Sequence, residues 1–245
     1  MKKFHFNKIF AALFLVVLFS TCKKENMCDC IKRTGAIITE TRAISGFDSI
    51  VVLDNMNVFI SQDSVFEVKV EAGKNIVPLI ATEVVNNTLT ISNNNRCNWT
   101  RSYDKPFNVY IKMPAIHCVT SNGTGNIMGL NTITTGDLTV WIKNSGNIDL
   151  TVNNSKIVSQ IFGAGDLTMH GTTVNHYSDI GGTAFLNCKD LQTNYTWVHT
   201  FTTGLCYVTT ANLACRIDYI GDLYCYGNPV TIEKVLNSTG QLYLK

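Results

Sequence analysis

The sequence is poor in charged residues and carries almost no net charge. Asp, Glu, Lys and Arg make up 16% of the 245 residues, and 20 basic residues against 18 acidic ones leave a formal charge of +2. An ordinary soluble domain contains about 25% charged residues. Proteins that bind nucleic acid need a clustered basic surface, so this balance argues against a nucleic-acid partner.

Proline is also rare, and residues that favour helix interiors do not dominate. The chain has 4 Pro, whereas 25 Asn and 28 Thr together supply 53 positions. Asn, Thr and Gly are poor in helix interiors and suit turns and strand faces. The composition therefore predicts an all-β protein. No Pro-, Gly- or Ser-rich linker divides residues 31–245, so we expect one domain there.

The N-terminus lacks an apolar run long enough to cross a membrane. The run from Ile9 to Phe19 has 11 residues. It would span about 16 Å as a helix, whereas a bilayer needs about 20 residues. Lysines precede this run and Cys22 follows it, a pattern that resembles a bacterial lipoprotein signal. We predict a signal peptide at 1–21, a lipidated Cys22 and a short tether at 22–30; the alternative is a cleaved, soluble secreted protein.

The residues behind Cys22 bear on where such a lipoprotein would lie. Lys23-Lys24-Glu25-Asn26 resembles in part the export tag of surface-displayed lipoproteins in Gram-negative bacteria. An inward-facing lipoprotein is the alternative. We therefore expect the lipid anchor to make the membrane a partner, and we expect an outer-membrane lipoprotein that is periplasmic or surface-exposed.

The first half of the domain has the period of strands. In residues 65–71, Phe66, Val68 and Val70 alternate with a second set that contains the charged residues Glu67, Lys69 and Glu71 after Val65. This period of two is that of a half-buried strand. Strand character also occurs at 47–53, 57–60, 88–91 and 109–112. The segment from Asn75 to Val84 is the one predicted helix, with Asn75 as its cap and Pro78 limiting it to about one turn.

The second half repeats a glycine motif. Four copies join Gly to Asn or Asp, and three looser copies contain only the Gly. The four are Gly125-Asn126, Gly146-Asn147, Gly165-Asp166 and Gly221-Asp222, and the looser ones contain Gly182, Gly204 and Gly240. Successive glycines are 21, 19, 17, 22, 17 and 19 residues apart. A mean of about 19 predicts one coil of a β-solenoid per copy. The alternative is a β-sandwich with coincident turns.

The motif also predicts how the coils stack. Gly at a corner can adopt positive φ, and a neighbouring Asn or Asp tolerates the same region. The apolar residue that follows then points inward and stacks on its counterpart in the next coil, about 4.8 Å away. We expect Ile127, Ile148, Leu167 and Leu223 to form such an inward column.

Four sequence elements occur in an order that resembles a known family. They are Gly46-Phe47-Asp48-Ser49-Ile50, Asn75-Ile76-Val77-Pro78-Leu79-Ile80, Asn87-Thr88-Leu89-Thr90-Ile91 and Gly123-Thr124-Gly125-Asn126-Ile127. Together they resemble the head GIN domain family, a domain of unknown function labelled as an auto-transporter adhesin. The resemblance implies a right-handed parallel β-helix-like solenoid on a cell envelope, usually behind a lipoprotein signal. It implies no catalytic residue.

Enzymatic chemistry is weakly supported by the motif. Asp166 and Asp222 both follow a corner Gly, but three coils would separate them by about 14 Å. Paired glycosidase carboxylates lie about 5–9.5 Å apart. We therefore expect no enzyme and no catalytic residue; the alternative is a glycan-processing enzyme on the same scaffold.

Metal and cofactor motifs are missing as well. No copy has the Gly-Gly-x-Gly-x-Asp string of calcium-binding β-rolls, and no helix follows Gly123-x-Gly125 as a phosphate-binding turn requires. His170 and His176 lack the spacing of helical metal ligands. We expect no metal and no cofactor.

Eight cysteines besides Cys22 leave two readings open. Eight cysteines can pair in 105 ways, so their connectivity is not deducible. In an oxidising envelope some would form disulfides, for example between Cys28 or Cys30 and the body of the domain. Alternatively, Cys118, Cys188, Cys206 and Cys215 are small inward-facing core residues.

Aromatic residues in the second half supply the candidate binding face. We assign it to Trp141, Tyr195, Trp197 and Tyr224. If these side chains project from one face, they could stack on a glycan or contact a protein; if they point inward, they are core. The sequence thus predicts an envelope-anchored, non-enzymatic binding or structural protein that could be an adhesin.

The C-terminal strand is a candidate for self-association. Residues 241–245 form an apolar edge in which only Lys245 is charged, and unpaired edges attract further strands. We expect a homo-oligomer or a partner through Leu242 and Leu244; the alternative is that the loop at 92–107 caps one end.

Overall fold

The computed structural model describes residues 33–95, 105 and 107–245, which form 17 strands. The first nine are β1 (Ile37–Arg42), β2 (Ser49–Asp54), β3 (Asn57–Gln62), β4 (Glu67–Gly73), β5 (Ile80–Val85), β6 (Thr88–Asn93), β7 (Asn108–Met113), β8 (Cys118–Gly123) and β9 (Ile127–Gly129). The others are β10 (Ile133–Ile142), β11 (Ile148–Ile161), β12 (Leu167–Gly182), β13 (Leu186–Thr202), β14 (Cys206–Ile217), β15 (Leu223–Tyr226), β16 (Thr231–Leu236) and β17 (Leu242–Leu244). Cys22, the signal peptide, the tether and most of the 92–107 loop lie outside the described residues.

The second half is a β-solenoid, as the repeat predicts. Strands β10 to β14 pair in parallel, each with the next, and the last coil is made by β16 and β17. The registry Ile148↔Leu167↔Leu186 advances by 19 residues per coil. The chain forms about 7 turns, so the solenoid prediction is confirmed.

The first half joins the same ladder. Strands β2 and β3 pair in parallel with β8 and β9, which places Val58 beside Ile127. Antiparallel pairs occur only in this part of the described chain, between β1 and β4, β4 and β7, and β5 and β6. The amino-terminal part therefore ends the parallel ladder with antiparallel strands, of which β5 and β6 form a hairpin.

Of the helix predicted from Asn75 to Val84, only the single turn to which Pro78 was expected to limit it is present, and the predicted extent and cap are wrong. A single 3₁₀ turn covers Val77–Leu79, and the following residues form β5, which pairs with β6. Pro78 removes a backbone donor, and the β-branched residues of β5 fit a pleated sheet better than a helix. The Asn75 side chain donates to the Arg33 carbonyl at 2.7 Å and does not cap the turn.

The predicted inward column is confirmed. Ile127, Ile148, Leu167 and Leu223 are all at most 1% exposed and occupy equivalent positions in successive coils. Leu186 and Cys206 fill the same column between Leu167 and Leu223, where both are fully buried.

One copy of the motif was aligned two residues too early. Because Leu186 pairs with Leu167, the residue equivalent to Gly165 is Ala184 and not Gly182. Gly182 lies two residues before this corner, opposite the Gly163 carbonyl oxygen, with φ of +75°. A buried alanine therefore replaces the corner glycine in this coil.

The five cysteines within the described ranges are free thiols. Cys188, Cys206, Cys215 and Cys225 are buried and Cys118 is half-buried. Burial raises the pKa of Cys206 to about 12 and that of Cys215 to about 11. Cys188, Cys206, Cys215 and Cys225 belong to the buried core, so the second of the two interpretations is confirmed for Cys188, Cys206 and Cys215. It is wrong for Cys118, which pairs with Thr139 at an outward position of its strand. Cys28, Cys30 and Cys97 lie outside the described residues.

In the last coil, positions that are buried in earlier coils become exposed. Ile232 and Leu236 continue inward columns and are 39% and 37% exposed, and Leu244 is 55% exposed. Lys234 pairs with the buried Cys215 and is exposed, so it places a charge in an inward column. Inward-pointing charges on edge strands oppose further pairing.

Within the described ranges, no helix has both the length and the apolar content that a membrane crossing demands.

Candidate functional site

The corner Asn and Asp side chains connect neighbouring coils. Asn147 Oδ1 accepts the backbone N–H of Asp166 at 2.8 Å, and Asp166 Oδ1 accepts that of Phe185 at 2.9 Å. Asp222 Oδ1 accepts the N–H of Gln241 at 2.8 Å, and Asn57 does the same for Asn126 at 3.2 Å. One oxygen of both Asp166 and Asp222 is thus used in a structural bond between coils.

The corner glycines allow the coils to approach. A Cβ on Gly146, Gly165 or Gly221 would overlap the carbonyl oxygen of the preceding corner, and one on Gly125 would overlap that of Met56. The positive φ expected at the corners is wrong for these four glycines, none of which has one. At these four positions glycine is required by the close backbone contact.

Each coil has two strand segments that face different ways. In β12 they are residues 167–170 and 175–181, and the alternation of buried side chains changes phase between Thr173 and His176. We use "first segment" and "second segment" for these residues and for those paired with them in other coils. In a closed coil of about 19 residues, positions about half a coil apart lie on opposite sides.

The four residues of the predicted binding face do not share one side. Trp141, Tyr195 and Trp197 belong to second segments, whereas Tyr224 directly follows Leu223 in a first segment. All four are half-buried and alternate with buried residues, so they point outward. The sequence identified outward aromatics but could not assign them to sides, because the position of the bend was unknown.

A charged cluster lies among the second-segment aromatics. His199 contacts Asp179 through Nδ1 at 3.2 Å and Asp218 through Nε2 at 3.0 Å. Its ring lies between those of Trp197 and Phe201, with centroids 5.8 and 5.1 Å away. Sequence reasoning missed this cluster, although its members are separated by 20 and 19 residues, the length of one coil.

The side chains of this cluster already have hydrogen-bond partners within the protein. Asp218 also accepts from Arg216 Nε at 2.7 Å and from Asn237 Nδ2 at 2.7 Å. The Asn237 amide, followed by His199 and Arg216, lowers the pKa of the Asp218 carboxyl. A glycosidase acid needs a raised pKa. Asp218 therefore lacks the property of a general acid, and the cluster stabilises contacts between coils.

A second histidine belongs to the core. His176 is fully buried, and its Nε2 lies 3.0 Å from Ser159 Oγ, which donates to Ser178 Oγ at 2.9 Å. Desolvation lowers the pKa of His176 to about 4. No solvent reaches this Ser–His pair, so it cannot serve an external substrate.

The opposite side of the coil carries a stack of tyrosines. Tyr207 and Tyr224 have ring centroids 5.3 Å apart, and Tyr224 and Tyr243 lie 5.0 Å apart, with the rings nearly parallel in both pairs. They occupy one column in three successive coils. In the two preceding coils the same column contains the smaller Thr168 and Asn187.

This change in side-chain size leaves an open pocket of about 370 Å³ at the end of the stack. Thr168 and Asn187 line this pocket together with five other residues. The others are Asp166, Phe185, Lys189, Tyr207 and Tyr226. Because Tyr224 covers one face of the Tyr207 ring, the other face is directed toward the coil of Asn187.

Several polar groups of this pocket, in contrast to those of the His199 cluster, have no hydrogen-bond partner within the described part of the protein. Lys189 Nζ lies 4.8 Å from the centre of the Tyr226 ring and has no carboxylate partner in the described chain. The second oxygen of Asp166, the Asn187 amide and the Tyr207 hydroxyl likewise have no hydrogen-bond partner among the described residues. The pocket thus combines aromatic surface with unpaired donors and acceptors.

Metal ligation has no candidate in the described part of the chain. No group of three or more His, Cys, Asp or Glu side chains there could hold an ion. His170 lies between Asp149 at 3.3 Å and Asp190 at 3.7 Å, both exposed, which is an ion-pair geometry.

Solved structures with the same fold carry adhesin or lipid-binding descriptions. A "putative adhesin" from Bacteroides fragilis aligns with a TM-score of 0.80 at 19% identity, over 87% of this chain and 100% of its own. A "putative adhesin" from Parabacteroides distasonis gives 0.66 at 18%, with the same coverage of both chains. A "putative lipid binding protein" from that species gives 0.70 at 16%, again with this coverage. No curated protein matches the chain.

The family model described as "Putative auto-transporter adhesin, head GIN domain" matches residues 46–229. This match covers 184 of the 245 residues, including the β5–β6 hairpin, the four Gly–Asn and Gly–Asp corners and most coils. The chain therefore belongs to the head GIN domain family of adhesin-like proteins.

Proposed function

We propose that the protein is an outer-membrane lipoprotein that acts by binding, as an adhesin, and catalyses no reaction. The apolar run before Cys22 supports the anchor. The family and the adhesin descriptions of proteins with this fold support the adhesive role. A solenoid suits such a role because each coil contacts only its neighbours, which gives a long and regular surface.

One observation carries the proposal: the contrast between the two sides of the coil. The carboxylates around His199 are already paired with protein groups. Across the coil, the pocket beside Tyr207 has polar groups that no protein group uses. Unused polar groups beside aromatic rings favour recognition of an external molecule.

The anchor is tested by exchanging Cys22. Cells that express the full chain or Cys22→Ala are labelled with a radioactive fatty acid and then fractionated. We expect label and outer-membrane attachment for the wild type, and loss of both in the variant. Cys28→Ala is the matched control and should keep both. A Cys22→Ala protein that stays labelled in the membrane would refute the anchor.

The adhesive role is tested on cells. A strain that lacks the chain is compared with the strain that expresses it, and with a complemented strain, for retention on mucin-coated surfaces and for clumping in suspension. We expect deletion to reduce at least one of these and complementation to restore it. Deletion that changes neither would contradict adhesion.

A further inference from the structure

The pocket beside Tyr207 has the composition of a carbohydrate site. We propose that it binds a neutral glycan, with one sugar ring stacked on the Tyr207 face that Tyr224 leaves open. This inference rests on the proposed binding function and adds to it a place and a ligand class. The pocket is not the aromatic face that the sequence indicates, because three of the four residues of that face lie on the opposite side of the coil.

The aromatic surface provides the first half of the argument. Tyr207 is half-buried and held by the 5.3 Å contact with Tyr224, which itself stacks on Tyr243. A ring held in this way loses little conformational freedom when a ligand stacks on it. Phe185 is 43% exposed at the edge of the same pocket and offers a second apolar surface.

The polar groups provide the second half. Sugars present apolar C–H faces together with hydroxyl groups that both donate and accept hydrogen bonds. Asp166 offers an unused carboxylate oxygen, Asn187 offers an amide, and Lys189 offers donors held over Tyr226. This set matches a ring that needs an apolar platform and several hydrogen bonds at its rim.

The charge of the pocket selects among ligand classes. Asp166 and Lys189 are its only charged side chains, and they balance each other. A phosphate, sulfate or acidic lipid headgroup would find one cation and one repelling carboxylate. A long apolar chain would leave the unpaired groups of Asp166, Asn187 and Lys189 uncompensated. A neutral glycan meets neither penalty.

The shape of the pocket fits a chain rather than a buried monosaccharide. It is open to solvent, and its volume of about 370 Å³ lies at the lower end of the ligand-site range of about 300–1,000 Å³. Because the pocket is open, an oligosaccharide can extend beyond it. We expect weak single-site affinity that many copies on one cell would strengthen.

The probes are cellotriose, maltotriose, laminaritriose and chitotriose, each titrated into the wild-type protein and followed by saturation-transfer NMR and calorimetry. We expect at least one to bind. Tyr207→Ala should weaken this binding by about tenfold or more, because the stacking surface is removed. Tyr177→Ala is the matched control, since Tyr177 is 37% exposed in a second segment, and it should leave binding unchanged.

A second variant separates recognition from folding. Asp166→Asn keeps the bond to the Phe185 N–H, because Asn147 makes the equivalent bond one coil earlier. It replaces the unused carboxylate oxygen with an amide nitrogen. We expect an unchanged urea midpoint and a several-fold loss of glycan affinity.

The outcomes distinguish this inference from the adhesive role. If no probe binds, or if only acidic vesicles or peptides compete for the pocket, the glycan assignment is overturned. If a probe binds but Tyr207→Ala has no effect, the site is misplaced. If cells with Tyr207→Ala still adhere as the wild type does, the pocket is excluded as the site of adhesion, while the adhesive function stands.

Discussion

Asn147 Oδ1 accepts the backbone N–H of Asp166 at 2.8 Å, across the 19 residues that make one coil. Asp166 repeats the bond toward Phe185 at 2.9 Å. The acidic residues of the repeat therefore join one coil to the next, and this use explains why they recur at the corners.

The first prediction concerns this ladder. Asp166→Ala should lower the free energy of unfolding by about 1 kcal/mol, because the Phe185 N–H loses its side-chain acceptor. Asp166→Asn should change it by less than about 0.5 kcal/mol. Urea unfolding of the two variants measures the difference. Equal losses in both would show that charge, and not the hydrogen bond, matters at this position.

The corner glycines give the second prediction. Gly165→Ala should destabilise the protein by at least about 2 kcal/mol, because a Cβ would overlap the Gly146 carbonyl oxygen. Gly136→Ala is the control, since no atom lies within 4 Å of its Cβ position. It should change stability by less than about 0.5 kcal/mol. If the two variants unfold at the same urea concentration, the close approach of the coils is refuted.

The third prediction is a pH dependence from His176. Its folded pKa is about 4, lowered from 6.5 by burial. Between these values the unfolded chain binds the proton and the folded one does not, so the free energy of unfolding falls as pH falls. The slope should approach about 1.4 kcal/mol per pH unit at its steepest.

His176→Leu isolates this effect. The variant removes the titrating group, and its two register neighbours Ile157 and Thr196 leave it in a fully buried column. Its unfolding curves between pH 6.5 and 4 should show a smaller slope than those of the wild type. Parallel curves would mean that His176 is protonated in the folded protein.

Self-association through the last coil stays a prediction, which we now extend to Lys234. Leu242→Lys with Leu244→Lys should reduce any oligomer, while Lys234→Leu should strengthen it, because that lysine places a charge in an inward column. Sedimentation velocity reads both effects. A wild type and a Lys234→Leu variant that are both monomeric at high concentration would exclude this edge as an interface.

Much of the fold follows from the sequence because a solenoid repeats locally. The Gly–Asn and Gly–Asp corners gave the coil length, and the residue after each corner gave the inward column. The predicted alignment is wrong at Gly182, because Ala184 serves as the corner in that coil. Whether alanine can replace glycine at a corner depends on the packing between neighbouring coils, which the residue type alone does not encode.

The candidate site was less predictable for a related reason. Pairs such as His199 with Asp179 and Asp218 become neighbours only when the exact coil register is known. The pocket depends on a step in side-chain size between Asn187 and Tyr207, which are adjacent in space and one coil apart in sequence. An alignment error of two residues is enough to hide both features.

The most direct test of the central claim, binding without catalysis, is an NMR time course of the anomeric protons of the tightest-binding trisaccharide with stoichiometric full-length protein. Binding without catalysis predicts saturation transfer to the sugar from the first spectrum, with anomeric signals that keep their positions and intensities for days. New reducing-end anomeric signals that appear with wild type and are absent with His199→Ala would contradict it, because they would make the His199 cluster a hydrolytic site.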